Sequence, residues 1–167
     1  MSQPLIIIDA QDEFLDTQHY TECIKEMSRE IRLAKRRNDY ILFVEYVNSR
    51  NRIVNKKPSS VPTIPSLLSL VKNYKKVIYV YKDNNDGGTE VLHTLRSKRI
   101  PRSNLRICGV YASFCVKDTA KTLAQELRQS KIYLMGKAIA CYENVHKDKI
   151  NALSELSYEN QNVFIRN

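Results

Sequence analysis

Three reactive side chains, Asp9, Lys82 and Cys115, stand at corresponding places in the sequence. Asp9 closes the apolar run "LIIID", Lys82 closes "VIYVYK", and Cys115 follows "LRICGV" within the segment "YASFCV". A thiol attacks a carbonyl carbon once a base has taken its proton, so an acid, an amine and a thiol have complementary roles in one reaction. These residue types predict a nucleophile, Cys115, with Asp9 as its base and Lys82 as a cationic partner.

The Cys115 thiol needs help to ionise at neutral pH, because a free cysteine has a pKa of about 8.5. The pattern places Cys115 at the start of a helix, where amide dipoles favour an anion, and a nearby ammonium group such as Lys82 does the same. Backbone N–H groups in the turn before Cys115 are candidates to hold the oxyanion of a tetrahedral intermediate. Cys108 lies in the middle of an apolar run instead, which predicts a core residue.

Each of the three residues also has a plain structural interpretation. Asp9 is a possible helix cap, Lys82 a possible surface lysine with a buried stem, and Cys115 a possible small buried residue. The catalytic interpretation depends on their meeting at one edge of a sheet. In open α/β sheets, sites form beyond the carboxyl ends of the strands.

The elements that would bring these residues together are parallel strands. Six apolar runs are typical of strands, and most are continuously apolar, which indicates strands covered on both faces. Helical patterns separate them, and the alternation predicts one α/β domain over residues 1–167: a three-layer αβα, Rossmann-like fold around a mostly parallel six-stranded sheet. The strands are predicted at 5–9, 40–46, 76–82, 105–110, 131–136 and 162–166, and helices near 20–34, 64–73, 88–98, 115–129 and 147–157.

The first helix has the clearest pattern of the five. Its apolar residues recur at helical spacing along one stripe, and Asp16 or Thr17 is the predicted N-cap. The stripe consists of Tyr20, Cys23, Ile24, Met27, Ile31 and Ala34.

Composition limits the partners and the compartment. The net charge is +9, from 27 basic and 18 acidic residues. This balance favours an anionic small-molecule substrate, whereas nucleic-acid binding is not expected because no aromatic residues interleave with the basic ones. No run resembles a signal peptide or membrane span, so a cytoplasmic protein with no membrane contact is predicted. The four cysteines lack disulfide-framework or zinc-site spacing.

Three motifs resemble those of the isochorismatase-like cysteine hydrolases, which include nicotinamidases. "LIIIDAQDEF" is similar to the family's opening D-x-Q strand and following aromatic, and "VYKDNNDGGTEVLHTL" resembles its lysine segment. "ICGVYASFCVKDTA" resembles the element G-[VL]-x-T-x-x-C-V-x-x-T-A, and the resemblance spans nearly the whole chain. The matching residues are Asp9, Gln11 and Phe14, then Lys82 and Thr89, then Gly109, Val110, Cys115, Val116, Thr119 and Ala120.

The resemblance implies a Cys–Asp–Lys triad made of Cys115, Asp9 and Lys82, and hydrolysis of an amide through an acyl-enzyme. It implies a cis peptide between Val110 and Tyr111, with the amides of Tyr111 and Cys115 directed toward the oxyanion. It also implies association into dimers or larger rings, and no organic cofactor. The predicted lining of the substrate pocket is Gln11, Phe14, Tyr111, Phe114 and the loop of Asn84, Asn85 and Asp86.

Departures from the family pattern concern the pocket. Nicotinamidases carry an aspartate and two histidines after the second strand, which bind a metal, whereas "VEYVNSRNRIVNKKPSS" has no histidine and Glu45 as its one acid. We therefore predict no catalytic metal and no nicotinamidase activity. Ala112 stands where the family has threonine, Lys137 where an aspartate is common, and "DNNDGG" lacks a pocket-closing aromatic residue.

Three functions remain open from the sequence. The first is a metal-independent cysteine hydrolase of a small amide or related carbonyl compound. The second is isochorismatase chemistry, the cleavage of a vinyl ether, which does not depend on a cysteine in the members best known for it. The third is a catalytically degenerate relative that binds an anionic ligand or nucleic acid through its basic surface.

Overall fold

The chain forms a six-stranded sheet in which every pairing is parallel. The computed structural model describes residues 2–16, 18–47, 62–142 and 146–167, with His146 described by its backbone alone. The strands are β1 (Leu5–Ile8), β2 (Ile41–Tyr46), β3 (Val77–Lys82), β4 (Asn104–Gly109), β5 (Lys131–Ile139) and β6 (Val163–Arg166). The strand order across the sheet is β3-β2-β1-β4-β5-β6.

Five α-helices and one short π-helical turn connect the described strands. The helices are α1 (Thr21–Arg36), α2 (Pro65–Val71), α3 (Gly88–Ser97), α4 (Lys117–Glu126) and α5 (His146–Glu159), and the π-turn is Ala112–Val116. Helices α1 and α2 pack against each other, while α3, α4 and α5 pack together. The predicted three-layer αβα fold is therefore confirmed.

The core lies on both sides of the central strands. All four residues of β1 are fully buried, and β2 and β4 are buried along most of their length. Met27, Ile31 and Ala34 of the predicted stripe on α1 are also fully buried. Cys108 lies in β4 with no exposed surface, and burial raises its pKa well above the usual range. Its assignment to the core is confirmed.

One predicted helix cap and one predicted strand boundary are wrong. The first helix begins at Thr21, and no side chain caps it. Asp16 instead accepts a hydrogen bond from the Gln18 N–H and lies in the turn before the helix, and Thr17 is outside the described residues. The fifth strand continues past Gly136 to Ile139, so Lys137 lies within β5 and does not follow it.

A buried ion cluster holds the edge of the sheet where the strands begin, which we call the N-terminal edge. Arg106 of β4 lies 2.7 Å from Glu30 and 3.2 Å from Asp39, and it donates to the Gln3 carbonyl. The arginine is 1% exposed. Because removing one partner from such a cluster leaves a buried charge uncompensated, this network fixes α1, β4 and the chain before β1 relative to one another.

Candidate active site

The buried pair of Asp9 and Lys82 lies at the opposite edge of the sheet, where the strands end. Asp9 follows β1 and Lys82 ends β3, with β2 between them. The Lys82 Nζ lies 2.8 Å from the Asp9 Oδ2, and both residues are 1% exposed. Asp9 has a φ of +49°, a left-handed conformation that aspartate tolerates better than most residues. The chain turns sharply there while the Asp9 N–H still donates to Val44.

Lys82 is held from several directions. Its Nζ donates to the Asn84 carbonyl at 2.9 Å and lies 5.4 Å from the centroid of the Tyr46 ring. A carboxylate, a carbonyl and an aromatic face together compensate a cation taken out of water. The ammonium group is therefore fixed beside Asp9, and the interpretation of Lys82 as a surface lysine is wrong.

Cys115 reaches this edge through a tight turn after β4. Gly109 has a φ of +126°, and a Cβ there would lie 2.1 Å from the Ile8 carbonyl oxygen, so only glycine fits between β4 and β1. The predicted cis peptide between Val110 and Tyr111 is present. Regular helix begins at Lys117, so Cys115 lies in the π-turn just before α4, where its Sγ is 3.8 Å from the Asn85 Oδ1.

The protonation states assign different roles to the thiol and the carboxylate. Burial, followed by the charge and the hydrogen bond of Asp9, raises the pKa of Cys115 to about 12, although Lys82 acts to lower it. Burial also raises the pKa of Asp9, against the opposing effects of Lys82 and Cys115. The neighbouring carboxylate and burial therefore outweigh the effect of Lys82 on the pKa of the thiol. The resting site holds a thiol beside a proton acceptor.

A cavity of about 400 Å³ opens directly above these residues. Asp9 and Cys115 form its floor, while Asn84 and Asn85 supply polar groups at one side. Its remaining walls are Val110 and five aromatic residues: Phe14, Tyr46, Tyr111, Phe114 and Tyr142.

Edge-to-face contacts hold the aromatic wall together. The Tyr111 ring lies 6.5 Å from Phe14 and 5.4 Å from Tyr142, both nearly perpendicular, and the Tyr111 hydroxyl donates to the Phe14 carbonyl. Such contacts fix ring positions beyond simple burial. The wall is therefore preformed at Tyr111, whereas Phe114 and Tyr142 remain 47% and 57% exposed at its rim.

The cavity contains five of the predicted pocket residues and omits two. Phe14, Asn84, Asn85, Tyr111 and Phe114 line it, as the sequence predicted. Gln11 does not: it is buried behind the wall, where it donates to the Tyr46 carbonyl and accepts from the Tyr46 N–H. Asp86 faces α4, since it accepts hydrogen bonds from Gly88 and Thr122.

Sequence reasoning missed Tyr46 and Tyr142. Tyr46 ends β2, so the rule that located Asp9 and Lys82 at strand ends also points to it. Tyr142 was not predicted because Gly136 suggested that β5 ends there. The strand in fact continues to Ile139, and Tyr142, three residues later, lines the cavity.

Replacing Gln11 with alanine tests its role as a support for Tyr46. The change leaves the Tyr46 N–H and carbonyl without their partners, which is expected to lower the free energy of unfolding by about 1–3 kcal/mol. Urea denaturation of Gln11→Ala, with the exposed Gln18→Ala as matched control, measures this. A Gln11→Ala loss no larger than that of the control would contradict the role.

The residues after β2 do not fit a nicotinamidase-type metal site. Glu45 is buried, and its Oε1 accepts hydrogen bonds from both the N–H and the hydroxyl of Thr63. Between residues 46 and 64 the sequence has no histidine, cysteine or acid. No cluster of three or more such side chains suited to a metal occurs in the described part of the chain. The described residues therefore supply no metal ligands in place of the missing aspartate and two histidines.

No protein-family model matches the chain, and no curated protein matches it. Solved structures do match. The pyrazinamidase/nicotinamidase from Streptococcus mutans is 18% identical with a TM-score of 0.77, covering 99% of this chain and 100% of that one. An isochorismatase-like hydrolase from Alkaliphilus metalliredigens is 14% identical with a TM-score of 0.75, covering 99% and 94%. The pyrazinamidase of Pyrococcus horikoshii, solved in complex with zinc, is 19% identical with a TM-score of 0.73, covering 99% of both.

These comparisons confirm the predicted fold over almost the full chain. The chain has the α/β fold of the nicotinamidases and the isochorismatase-like hydrolases, as its motifs indicated. No helix in the described residues is both long and apolar enough to span a bilayer.

Proposed function

We propose that the chain is an isochorismatase-like cysteine hydrolase that cleaves a small amide or related carbonyl compound without a catalytic metal. One observation carries the proposal: a buried Asp9–Lys82 pair lies under a cavity of about 400 Å³ whose floor also holds the Cys115 thiol. An acid held by a cation beside a thiol is the arrangement that general-base activation of a nucleophile requires. The shared fold of nicotinamidases and an N-carbamoylsarcosine amidase supports hydrolysis of an amide.

The first step joins the thiol to the substrate. Asp9 takes the Cys115 proton as Sγ attacks the carbonyl carbon, so the C=O double bond becomes a C–O⁻ single bond. Lys82 keeps the carboxylate in place and stabilises its charged form before the proton arrives. The backbone N–H groups of Tyr111 and Cys115 are the proposed donors to the oxyanion, because both residues line the cavity in which the thiol lies.

The second step releases the amine and then the acid. Protonated Asp9 gives its proton to the leaving nitrogen as the C–N bond breaks, which leaves a thioester on Cys115. Asp9, again ionised, removes a proton from a water molecule that attacks the thioester. The acid leaves, the thiol is restored, and no external reductant or oxidant takes part.

The cavity walls favour an uncharged, apolar acyl group. Five aromatic rings form most of the lining, and Asn84 and Asn85 provide neutral hydrogen-bonding groups. Among the described residues around the cavity, Lys82 is a cation already paired with Asp9. The anionic substrate suggested by net charge has no support from these walls, so we propose a neutral small amide.

A panel of neutral carboxamides, assayed by ammonia release, tests the proposal. We expect turnover of flat or apolar amides and none of amides carrying a carboxylate or phosphate. A member that is turned over by wild type and not by Cys115→Ser identifies the substrate class. Turnover that survives in Cys115→Ser would contradict the mechanism.

The acid limb of the pH profile should report Asp9. Because Asp9 must be ionised to accept the thiol proton, we expect kcat/KM to fall as pH drops through a pKa above the usual value of 3.8. Between that pKa and about pH 9 the profile should be flat, because the Cys115 pKa lies at about 12. A profile that instead rises steadily from pH 7 to 9 would indicate reaction through a preformed thiolate.

A further inference from the structure

Ten of the 27 basic residues, far apart in the sequence, lie together at one end of the folded molecule. In a parallel sheet every loop that leads from a helix into a strand lies at the N-terminal edge. Five such loops lead into β2, β3, β4, β5 and β6; all five are described, and the first four carry the basic residues. Exposed basic residues in and beside them are Arg36, Arg37, Lys72, Lys75, Arg96, Lys98, Arg99, Arg102, Arg128 and Lys131.

Acidic residues hardly oppose this charge. In and beside the same loops Asp39 is buried against Arg106, and two acids are exposed, Glu126 at 3.8 Å from Arg96 and Glu159 at 3.6 Å from Lys121, each in a solvated pair. The described loops at the opposite edge show the reverse balance. Asp12, Glu13, Asp16 and Asp83 are exposed there, and residues 9–16 and 83–88 contain no lysine or arginine.

Support of helix ends explains part of this charge. Basic side chains in the last turn of a helix interact favourably with its dipole. Of the ten residues, Arg36 and Arg96 lie in a last helical turn, and Arg37, Lys72 and Lys98 are C-cap residues. The other five lie in the loops or at the start of β5, beyond the helix ends.

A groove within this edge brings three arginines together. It has a volume of about 670 Å³ and is lined by Arg96, Arg102 and Arg128, which come from α3 and from the loops into β4 and β5. Ser103, Gln125 and Gln129 add hydroxyl and amide groups to its walls. Arginine forks together with serine and glutamine side chains are the groups that contact phosphate oxygens in nucleic-acid complexes.

We propose that this N-terminal edge is a binding surface for the phosphate backbone of double-helical nucleic acid, separate from the catalytic cavity. The basic loops span the sheet from β3 to β5, which at about 4.8 Å between neighbours is roughly 20 Å. A duplex carries one negative charge per about 1.7 Å of its axis, both strands counted. A stretch of duplex as long as this surface is wide therefore carries roughly a dozen phosphates. The charge and the dimension of the surface match a duplex laid across the strand ends.

The aromatic residues at this edge favour a duplex over a single strand. Binding of single strands uses exposed rings on which bases stack. Tyr40 and Tyr74 are half-buried here, with Lys76 and Lys35 over their rings, and the Tyr74 hydroxyl donates to the Asp39 carbonyl. These rings are occupied, so binding is expected to depend on the backbone and to be independent of base sequence.

Fluorescence anisotropy with labelled 20-base-pair DNA and RNA duplexes tests the surface. Wild type should bind at 50 mM salt and lose affinity steeply toward 200 mM. The triple variant Arg96→Gln, Arg102→Gln, Arg128→Gln should bind at least roughly tenfold more weakly, with the slope of log affinity against log salt reduced by about 3. A single strand of equal length should bind more weakly than either duplex.

A second triple variant, Lys25→Gln, Lys137→Gln, Lys147→Gln, is the matched control. It removes the same charge from exposed positions elsewhere and should bind like wild type. An equal loss in both variants would show an effect of net charge and overturn the proposal. So would absence of duplex binding at 50 mM salt, or equal competition by polyglutamate. Unchanged thermal stability in both variants, measured alongside, assigns any loss of binding to the removed contacts.

Discussion

Replacing Cys115 with alanine is expected to abolish amide hydrolysis. Removal of a catalytic nucleophile costs roughly 10⁴-fold or more in kcat, because the remaining groups can bind and polarise the substrate without forming the acyl-enzyme. Cys115 is half-buried in the turn before α4, so the truncation should change stability little. Parallel assays of kcat/KM and thermal unfolding measure both expectations.

A matched control comes from the same sequence. Burial raises the pKa of Cys23 to about 12, as in Cys115, yet Cys23 lies on α1 away from the catalytic cavity. Cys23→Ala should keep wild-type turnover. If the two variants lose activity equally, the assignment of the nucleophile fails.

Trapping distinguishes a covalent intermediate from mere loss of activity. Acid quenching of wild type during turnover should leave an acyl group on the peptide that contains Cys115, detected by mass spectrometry. Asp9→Asn should show no adduct, because the thiol then has no proton acceptor. An adduct that forms in Asp9→Asn as fast as in wild type would remove Asp9 from the mechanism.

The arrangement of the site was predictable where it follows from topology alone. Asp9 and Lys82 each end an apolar run, and parallel strands bring such ends to one edge whatever the order of the strands. The order itself, with β2 between β1 and β3, did not follow from the alternation of elements. Because that order separates β1 and β3 by about 10 Å, the long side chain of Lys82 must cross the end of β2 to bring its Nζ within 2.8 Å of the Asp9 carboxylate.

Predictions that depended on side-chain direction were less successful. Gln11 lies in the same motif as Asp9, yet its side-chain amide does not face the cavity. It hydrogen-bonds the backbone N–H and carbonyl of Tyr46 instead. The protonation state of Cys115 was also beyond the sequence, since it depends on burial and on the distance to Asp9. The same limit applies to the basic edge, because charges that look dispersed along the chain become neighbours only once the strands are aligned.

The buried Asp9–Lys82 pair should show strong coupling in a double-mutant cycle. Lys82→Met leaves the Asp9 charge buried without its partner, and we expect a loss of about 3–5 kcal/mol in the free energy of unfolding. Asp9→Leu leaves the ammonium group of Lys82 buried without its partner in the same way. The double variant Asp9→Leu, Lys82→Met removes both charges and should recover most of the stability while remaining inactive.

The pH dependence of Lys82→Met gives an independent check, since Lys82 lowers the Asp9 pKa and its removal raises that pKa further. A carboxyl whose pKa is higher in the folded state than in the unfolded state binds protons preferentially when folded. The folded protein therefore gains stability as pH falls from the raised pKa toward the ordinary 3.8. Urea denaturation should show a smaller penalty for Lys82→Met at pH 5 than at pH 8.

The exposed pair Glu22–Lys25 is the control for this cycle. Its atoms are 3.5 Å apart with both side chains at least 70% exposed, and such pairs contribute about 0–1 kcal/mol. A coupling energy for Asp9 and Lys82 no larger than that of Glu22 and Lys25 would contradict a desolvated ion pair. A double variant as stable as wild type and without activity would mean that the buried charges serve the reaction, because the fold can do without them.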